Sequence, residues 1–335
     1  MLARRACMVA LGAFGAASLG VATSARAQPS ARKIARVGVL WHAGSQEEEG
    51  KHFIALIEGF RDLGYVDGQS IRFEHRYPNE ELARFDACAA ELVRLKPDVL
   101  VSVSPPATYA LQRTGTSIPI VFLVGGTNPV RAKLVQSLAH PGGNITGLTS
   151  GVGSEMDTKR LQLFKETARG LSRVALLVSS NSEAAQRSIA THQAAGENLN
   201  IKVLPVEVRQ ASDYEAAFEQ IARARVDGVI AGWDVLFWAG RQQIAQLAKA
   251  LRLPSSHYSI DGVESGFLMS YGPSITEIIR RGAVYVDKIL RGADPGNLPV
   301  EQPTKFEFGL NLKTAIAIGL TIPQSVVLQA DSVIA

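Results

Sequence analysis

The chain has 335 residues and a mass of 35.9 kDa, a length that suits two domains. Apolar residues make up 46% and charged residues 20%, which excludes a disordered, collagen-like or disulfide-scaffold protein and leaves ample material for a core. The 35 Lys and Arg against 31 Asp and Glu give a formal charge of +4, a weak hint of polyanion binding that the first residues remove.

Residues 1–27 open as Met1-Leu2-Ala3-Arg4-Arg5, continue as an apolar run from Ala6 to Val21, and reach Ala25-Arg26-Ala27. A basic start, a short hydrophobic middle and an Ala-x-Ala site predict a secretory signal peptide cut after Ala27. The run is too short and too rich in Gly and Ala for a span of ~20 apolar residues, so the expectation is a periplasmic protein starting at Gln28. Cleavage removes Arg4, Arg5 and Arg26 and no acid, which lowers the charge to +1. A near-neutral chain has no strong field for capturing nucleic acid. Cys7 leaves with the leader, and Cys88 alone cannot close an internal disulfide. Its helical spacing with Leu82, Phe85, Leu92 and Leu95 predicts a buried, inert thiol.

Strands are predicted over 35–40, 71–77, 98–104, 118–124 and 144–149, with helical periodicity between them, as in Phe53, Leu56, Ile57, Phe60 and Leu63. The pattern then restarts. Arg36-Val37-Gly38-Val39-Leu40 is echoed by Arg173-Val174-Ala175-Leu176-Leu177, residues 71–77 by 201–208, Pro97-Asp98-Val99 by Val226-Asp227-Gly228, and Ile118-Pro119 by Leu253-Pro254. Strand–helix alternation repeated in two halves predicts an α/β protein of two similar open, parallel, Rossmann-like sheets. A strand over 266–271, a helix over 275–290 and a last strand over 305–310 follow. If 145–150, 266–272 and 303–311 each cross between lobes, the chain makes a three-segment hinge. Lobe 1 then comprises 35–146 plus 272–303, and lobe 2 comprises 150–266 plus 305–335. Ligands of open α/β sheets bind beyond the carboxyl ends of the strands, and two such sheets facing across a hinge can close on a small molecule.

No catalytic constellation is present. There is no Gly-x-Ser-x-Gly, and none of the six histidines has metal-site spacing. The stretch from Gly44 to Lys51 resembles a phosphate loop, but Glu47, Glu48 and Glu49 sit where phosphates would lie, and suit a helix first turn instead. Gly151-Val152-Gly153 reads as a linker. No enzyme, metal or cofactor is expected.

The loops after the strands carry the candidates for ligand binding: Trp41, His42, Ser104, Thr108 and Asn128 in the first half, and Asn181, Trp233, Asp234, Tyr258 and Asp261 in the second. Each loop opens a helix whose free N–H groups can meet an anion. A carboxylate is expected near Ser104–Thr108 and an ammonium near Asp234 or Asp261. For Ser104, Asn128, Asn181 and both aspartates helix capping is the competing role, and for the tryptophans it is core packing.

Several stretches resemble a family of bacterial ABC transporter substrate-binding proteins. They are Ile118-Pro119-Ile120-Val121-Phe122 continuing to Leu138–Gly147, the run Gly266–Pro273, and Leu298–Glu307 with Asn311–Ala315 and Gly319–Pro323. The resemblance implies a type I periplasmic binding fold, capture of a small solute such as an amino acid, and an inner-membrane permease as partner. A monomer is expected. Thr127-Asn128-Pro129 stands where the family commonly has Gly-Asp-Pro, and Ser179-Ser180-Asn181-Ser182 where an Asn-Pro-rich loop is usual, so ligand identity is not carried over. A sensor subunit for a membrane receptor and a secreted hydrolase are the rival readings.

Overall fold

The computed structural model describes residues 34–124, 128–151, 154–179 and 183–335. The expected leader and Asn181 lie outside the described residues. The β-branched runs of the first half form β1 (Ala35–Leu40), β2 (Ile71–Arg76), β3 (Val99–Ser102), β4 (Ile120–Leu123) and β5 (Ile145–Leu148). They pair in the order β2-β1-β3-β4-β5, all parallel. Between them run α1 (Gln46–Glu49), α2 (Lys51–Asp62), α3 (Leu82–Arg94) and α4 (Pro105–Arg113). Period-two alternation divides β1 between two cores. Val37 and Val39 face a cluster with Phe60 of α2, and Leu40 faces one with Leu92 of α3 and Leu100. A strand covered on both faces reads as one continuous apolar run. Cys88 is buried in the second of these clusters, as expected.

The second half repeats the plan with α5 (Ser154–Thr167), β6 (Arg173–Ser179), α6 (Glu183–Leu199), β7 (Lys202–Val208), α7 (Tyr214–Ala224), β8 (Gly228–Ala231), α8 (Val235–Ala239), α9 (Arg241–Ala250), β9 (Ser255–His257), α10 (Ile260–Glu264) and β10 (Met269–Pro273). Then come α11 (Ile275–Leu290), β11 (Phe306–Asn311), α12 (Leu312–Ile318), α13 (Gln324–Val327) and β12 (Ser332–Ile334). The second sheet runs β7-β6-β8-β9-β10-β11-β12. Its first four strands match the order of the first sheet, so β1 corresponds to β6, and β3 to β8. Helix α11 returns to the first lobe, where Ile279, Ala283 and Val286 join the core beside Leu56 and Phe60. Because the chain reaches β11 from that other lobe, β11 meets β10 antiparallel, an exception to the all-parallel expectation. β12 and the two helices before it were not foreseen.

The chain passes between lobes from Leu148 to Ser154, from Pro273 to Ile275, and from Glu301 to Phe306. These passages are shorter than expected, because residues 145–148 pair inside the first sheet and most of 266–272 and 303–311 inside the second. The third lies beside the other two. The Thr149 N–H donates to the Glu301 carbonyl at 2.9 Å, the Glu301 N–H to Gly147 at 3.0 Å, and the Ser274 N–H to Lys305 at 3.0 Å. The family-like stretch around residue 144 acquires a role here. The Asn144 side-chain amide donates to the carbonyls of Thr116 and Ile118 at 2.9 and 2.8 Å. Gly147 sits at φ 149°, and a Cβ there would collide with the Phe122 carbonyl, so only glycine lets β5 lie against β4 at this point.

Candidate functional site

The loop after β1 and the start of α2 meet the helices that follow β8 and β9 in the second lobe. On the first lobe, Trp41 is in phase with Val37 and Val39 and joins the same core, with 0% exposure. Its indole N–H donates to His75 Nδ1 at 3.0 Å, and the ring stacks on Tyr77 at a centroid distance of 6.4 Å. The cleft-facing expectation for Trp41 is therefore corrected: strand parity sends it inward. His42, one residue on, turns the other way. Glu49 accepts the N–H groups of His42 and Ala43 at 3.1 and 2.9 Å, which fixes the loop. The His42 ring lies between Glu49, at 3.4 Å, and Glu80, at 3.5 Å. Burial lowers the His42 pKa, but the carboxylates of Glu49 and Glu80 outweigh it, and the net direction is upward. Glu80 is aimed by an unusual turn. Asn79 and Glu80 both have positive φ, 58° and 56°, and their N–H groups are pinned to the carbonyls of Ala43 and His42. Consecutive non-glycine residues in this region store strain, a feature that clusters at functional sites.

On the second lobe Asp234 caps α8, accepting the Leu236 N–H at 2.8 Å, and its other oxygen takes the Ser179 hydroxyl at 2.6 Å. Trp233 is half-buried and lies 4.2 Å from the Tyr258 ring, which stacks on His257 at 4.2 Å. The two rings form an aromatic shelf. Tyr258 is 5% exposed, and burial, with Asp234 and Asp261 nearby, raises its phenol pKa well above the ordinary value. Tyr214 donates to the Leu236 carbonyl at 2.6 Å and packs so closely on Gly240 that a Cβ there would overlap its ring. This contact sets the elbow between α8 and α9, from which Trp238 and Arg241 project. The Arg241 guanidinium lies 3.8 Å over the Trp238 ring.

Contacts made by His42, Lys51 and His52 close the gap between lobes. The His42 ring meets Trp238 edge-on, with centroids 4.5 Å apart. Lys51 Nζ reaches Asp261 at 2.8 Å and Glu264 at 2.7 Å. His52 Nε2 stands 3.7 Å from Asp261. Burial pulls the Asp261 pKa up, but the His52 and Lys51 charges hold it well below the usual carboxylate range. The position foreseen for a ligand ammonium is thus taken by a lysine of the opposite lobe.

The remaining candidates serve the scaffold. Ser104 Oγ caps α4 by accepting the Ala107 N–H. The hydroxyl of buried Thr108 is held by Ser104 O at 2.9 Å and Ser102 Oγ at 2.8 Å. Pro105 and Pro106 have no N–H, and those of Ala107 and Thr108 are taken, so the N–H groups of residues 105–108 offer no free donor to a carboxylate. Asn128 is exposed and accepts the Arg131 N–H at 2.9 Å. Sequence reasoning missed Lys51, His52, Glu80, Trp238 and Arg241. None sits directly at a strand end, and four of them lie within helices. Among the described residues no group of His, Cys, Asp and Glu is arranged to hold a metal ion, and no helix is long and apolar enough to cross a membrane.

A family model described as ABC transporter substrate binding protein matches residues 46–334. A tyrosine-binding protein of Clostridioides difficile is 23% identical over 277 residues, covering 82% of this chain and 78% of that protein. Among solved structures, a conserved domain protein from Vibrio cholerae superposes with a TM-score of 0.82 at 26% identity, covering 90% of this chain and 100% of that one. An ABC domain from Streptococcus pneumoniae, solved in complex with L-Trp, superposes with a TM-score of 0.81 at 22% identity, covering 90% and 99%. The two-lobed, hinged α/β architecture is that of these neighbours.

Proposed function

The chain belongs to the family of ABC transporter substrate-binding proteins, and on that premise we propose that it captures an aromatic amino acid between its lobes and presents it to a membrane permease. The observation that carries this reading is the shelf of Trp233 on Tyr258 beside the His42–Trp238 contact. The half-buried ring of Trp233, backed by buried Tyr258, suits a planar apolar body, and the opposite lobe supplies polar groups that only a closed cleft brings within reach. The tyrosine-binding relative and the L-Trp-bound neighbour support the same ligand class. The basic, apolar, Ala-x-Ala leader supports export to the periplasm, where such a protein meets its permease. No covalent chemistry is required of it. Titration calorimetry of the mature protein with tyrosine, tryptophan and phenylalanine, against leucine, glutamate and ribose, tests the reading. Saturable binding confined to the aromatic compounds is expected. Binding of only aliphatic or sugar ligands would overturn it.

A further inference from the structure

The charged groups of the cleft are unequally occupied. Glu49 is held by two backbone N–H groups, Asp234 by Leu236 and Ser179, and Asp261 by Lys51 and the Ser259 hydroxyl, both at 2.8 Å. Arg241 is different. It has no carboxylate within ion-pair distance among the described residues. Among the described residues its one hydrogen bond runs from Nη1 to the Trp238 carbonyl at 2.7 Å, and its buried Nε has no acceptor there. Stacking on Trp238 and the Nη1 bond together fix the guanidinium plane. They leave Nε and Nη2, the side-on pair that receives both oxygens of a carboxylate. A buried donor without a partner is costly, and a bound anion would relieve that cost.

We propose that Arg241 receives the carboxylate of the solute, so that the site selects for a planar acid and not for an amine. This rests on the aromatic-solute reading above. The location supports it: Arg241 stands on the ring that His42 of the opposite lobe touches. Its charge bears on both His42 and Tyr258, pulling against the upward pKa shift of each. Asp234 and Asp261, the acids first expected to hold an ammonium, are already engaged, and Glu49 and Glu80 face the His42 ring, whereas the guanidinium faces no acid among the described residues. The elbow that places it is also built for the purpose, with the Tyr214 hydroxyl on the Leu236 carbonyl and its ring against Gly240.

Three compounds that share one ring test the inference: tyrosine, 3-(4-hydroxyphenyl)propionate, which lacks the ammonium, and tyramine, which lacks the carboxylate. The tryptophan series, with indole-3-propionate and tryptamine, is run in parallel. Calorimetry on the mature wild type should show the propionates binding within about tenfold of their amino acids, and the amines weaker by about a hundredfold or more. Arg241→Gln should weaken both acids by about ten- to a hundredfold and leave the weak amine binding unchanged, with Arg241→Lys between. Thermal melts of both variants establish that they fold, and Arg241→Lys alone suffices if the glutamine variant does not. Amines binding as well as amino acids, or an Arg241→Gln variant with wild-type affinity for the acids, would overturn the role of Arg241 and leave the aromatic-solute reading standing. Failure of all six compounds to bind the wild type would overturn both.

Discussion

The passages after β3 and β8 hold the same place in their sheets, with β2-β1-β3-β4 matched by β7-β6-β8-β9, yet they are filled differently. After β3, Ser104 caps α4, two prolines remove donors, and the Thr108 hydroxyl is tied down by Ser102 and Ser104. Capping occupies most of that passage. After β8, Asp234 caps a helix of five residues, and Trp233, Trp238 and Arg241 are grouped around it. The repeat therefore copies a scaffold while the recognition groups are placed mainly on one copy. A polar residue at a strand end is not by itself a site, because capping can use its whole hydrogen-bonding capacity.

The strongest way to break this contrast is to exchange stability for binding at the two tryptophans. Trp41→Ala removes a wholly buried ring and its bond to His75, and should cost about 3–5 kcal/mol in urea unfolding. Trp233 is half-buried, and its indole N–H has no partner among the described residues, so Trp233→Ala should cost less than half as much. It should weaken aromatic-solute binding far more than Trp41→Ala does, measured on folded protein at low temperature. Equal stability losses would mean that both lobes use their tryptophans alike.

The next effect treats the lobes as equals. His75 in β2 and His257 in β9 each have the pKa pulled down to about 4, with burial as the leading cause. His75 Nδ1 must also stay bare to accept the Trp41 N–H. The unfolded imidazoles titrate near ~6.5. Between that value and about 4 the unfolded chain binds protons that the folded chain refuses, so stability is full above about pH 6.5 and falls as pH falls. Each histidine should contribute a loss on the order of 3 kcal/mol over the window. His42, with its raised pKa, works in the opposite sense: its contribution is present below pH 6.5 and fades as pH rises through the higher folded value. Urea unfolding at pH 7 and pH 4.5 should show a smaller pH difference in His75→Gln and in His257→Gln than in the wild type. An unchanged difference in either variant would remove that histidine from the account.

Much of the scaffold was legible because it obeys local rules. The β-branched runs, the repeat, and the helix over 275–290 with its buried face all appear as read. The orientation of Trp41 is legible too, since it continues the parity of Val37 and Val39. The antiparallel β10–β11 pair was hidden because it depends on α11 packing in the other lobe. The cleft was less legible. Lys51 finds Asp261 and His42 finds Trp238 only after two sheets face each other, and no spacing along the chain encodes those meetings. Arg241 follows a glycine inside an ordinary helical pattern, and its lack of an acid partner is a fact of three dimensions.

Capping gives a smaller and sharper test. Ser104→Ala and Asp234→Ala should each lower stability by ~0.5–2 kcal/mol, seen as reduced melting temperature. Asp234 should show the larger loss, because the Ser179 hydroxyl is released as well. Solute affinity should move little in either variant compared with Arg241→Gln. A tenfold or greater loss of affinity in Asp234→Ala with an unchanged melt would restore this aspartate as a ligand for the solute.

The smallest effect on stability should come from Lys51, although it joins the two lobes. Its side chain is 36% exposed, and ion pairs this open to solvent contribute only ~0–1 kcal/mol. Asp261 is held below the usual carboxylate range and Lys51 is raised above its ordinary value by Asp261 and Glu264, against the pull of burial. The pair therefore stays charged across the neutral range, and salt rather than pH should loosen it, with screening over ~10 Å at 0.1 M ionic strength. Because the pair acts between lobes and not within either core, Lys51→Met should leave urea unfolding nearly unchanged. It should instead shift the ligand-free protein toward an open form, seen as an increased radius of gyration in solution scattering. The wild type should approach the same value as salt is raised, and the variant should respond little. A variant as contracted as the wild type at low salt would show that closure rests on the contacts of His42 and His52 with Trp238 and Asp261, and the double substitution His42→Ala, His52→Ala would then be the one that opens the cleft.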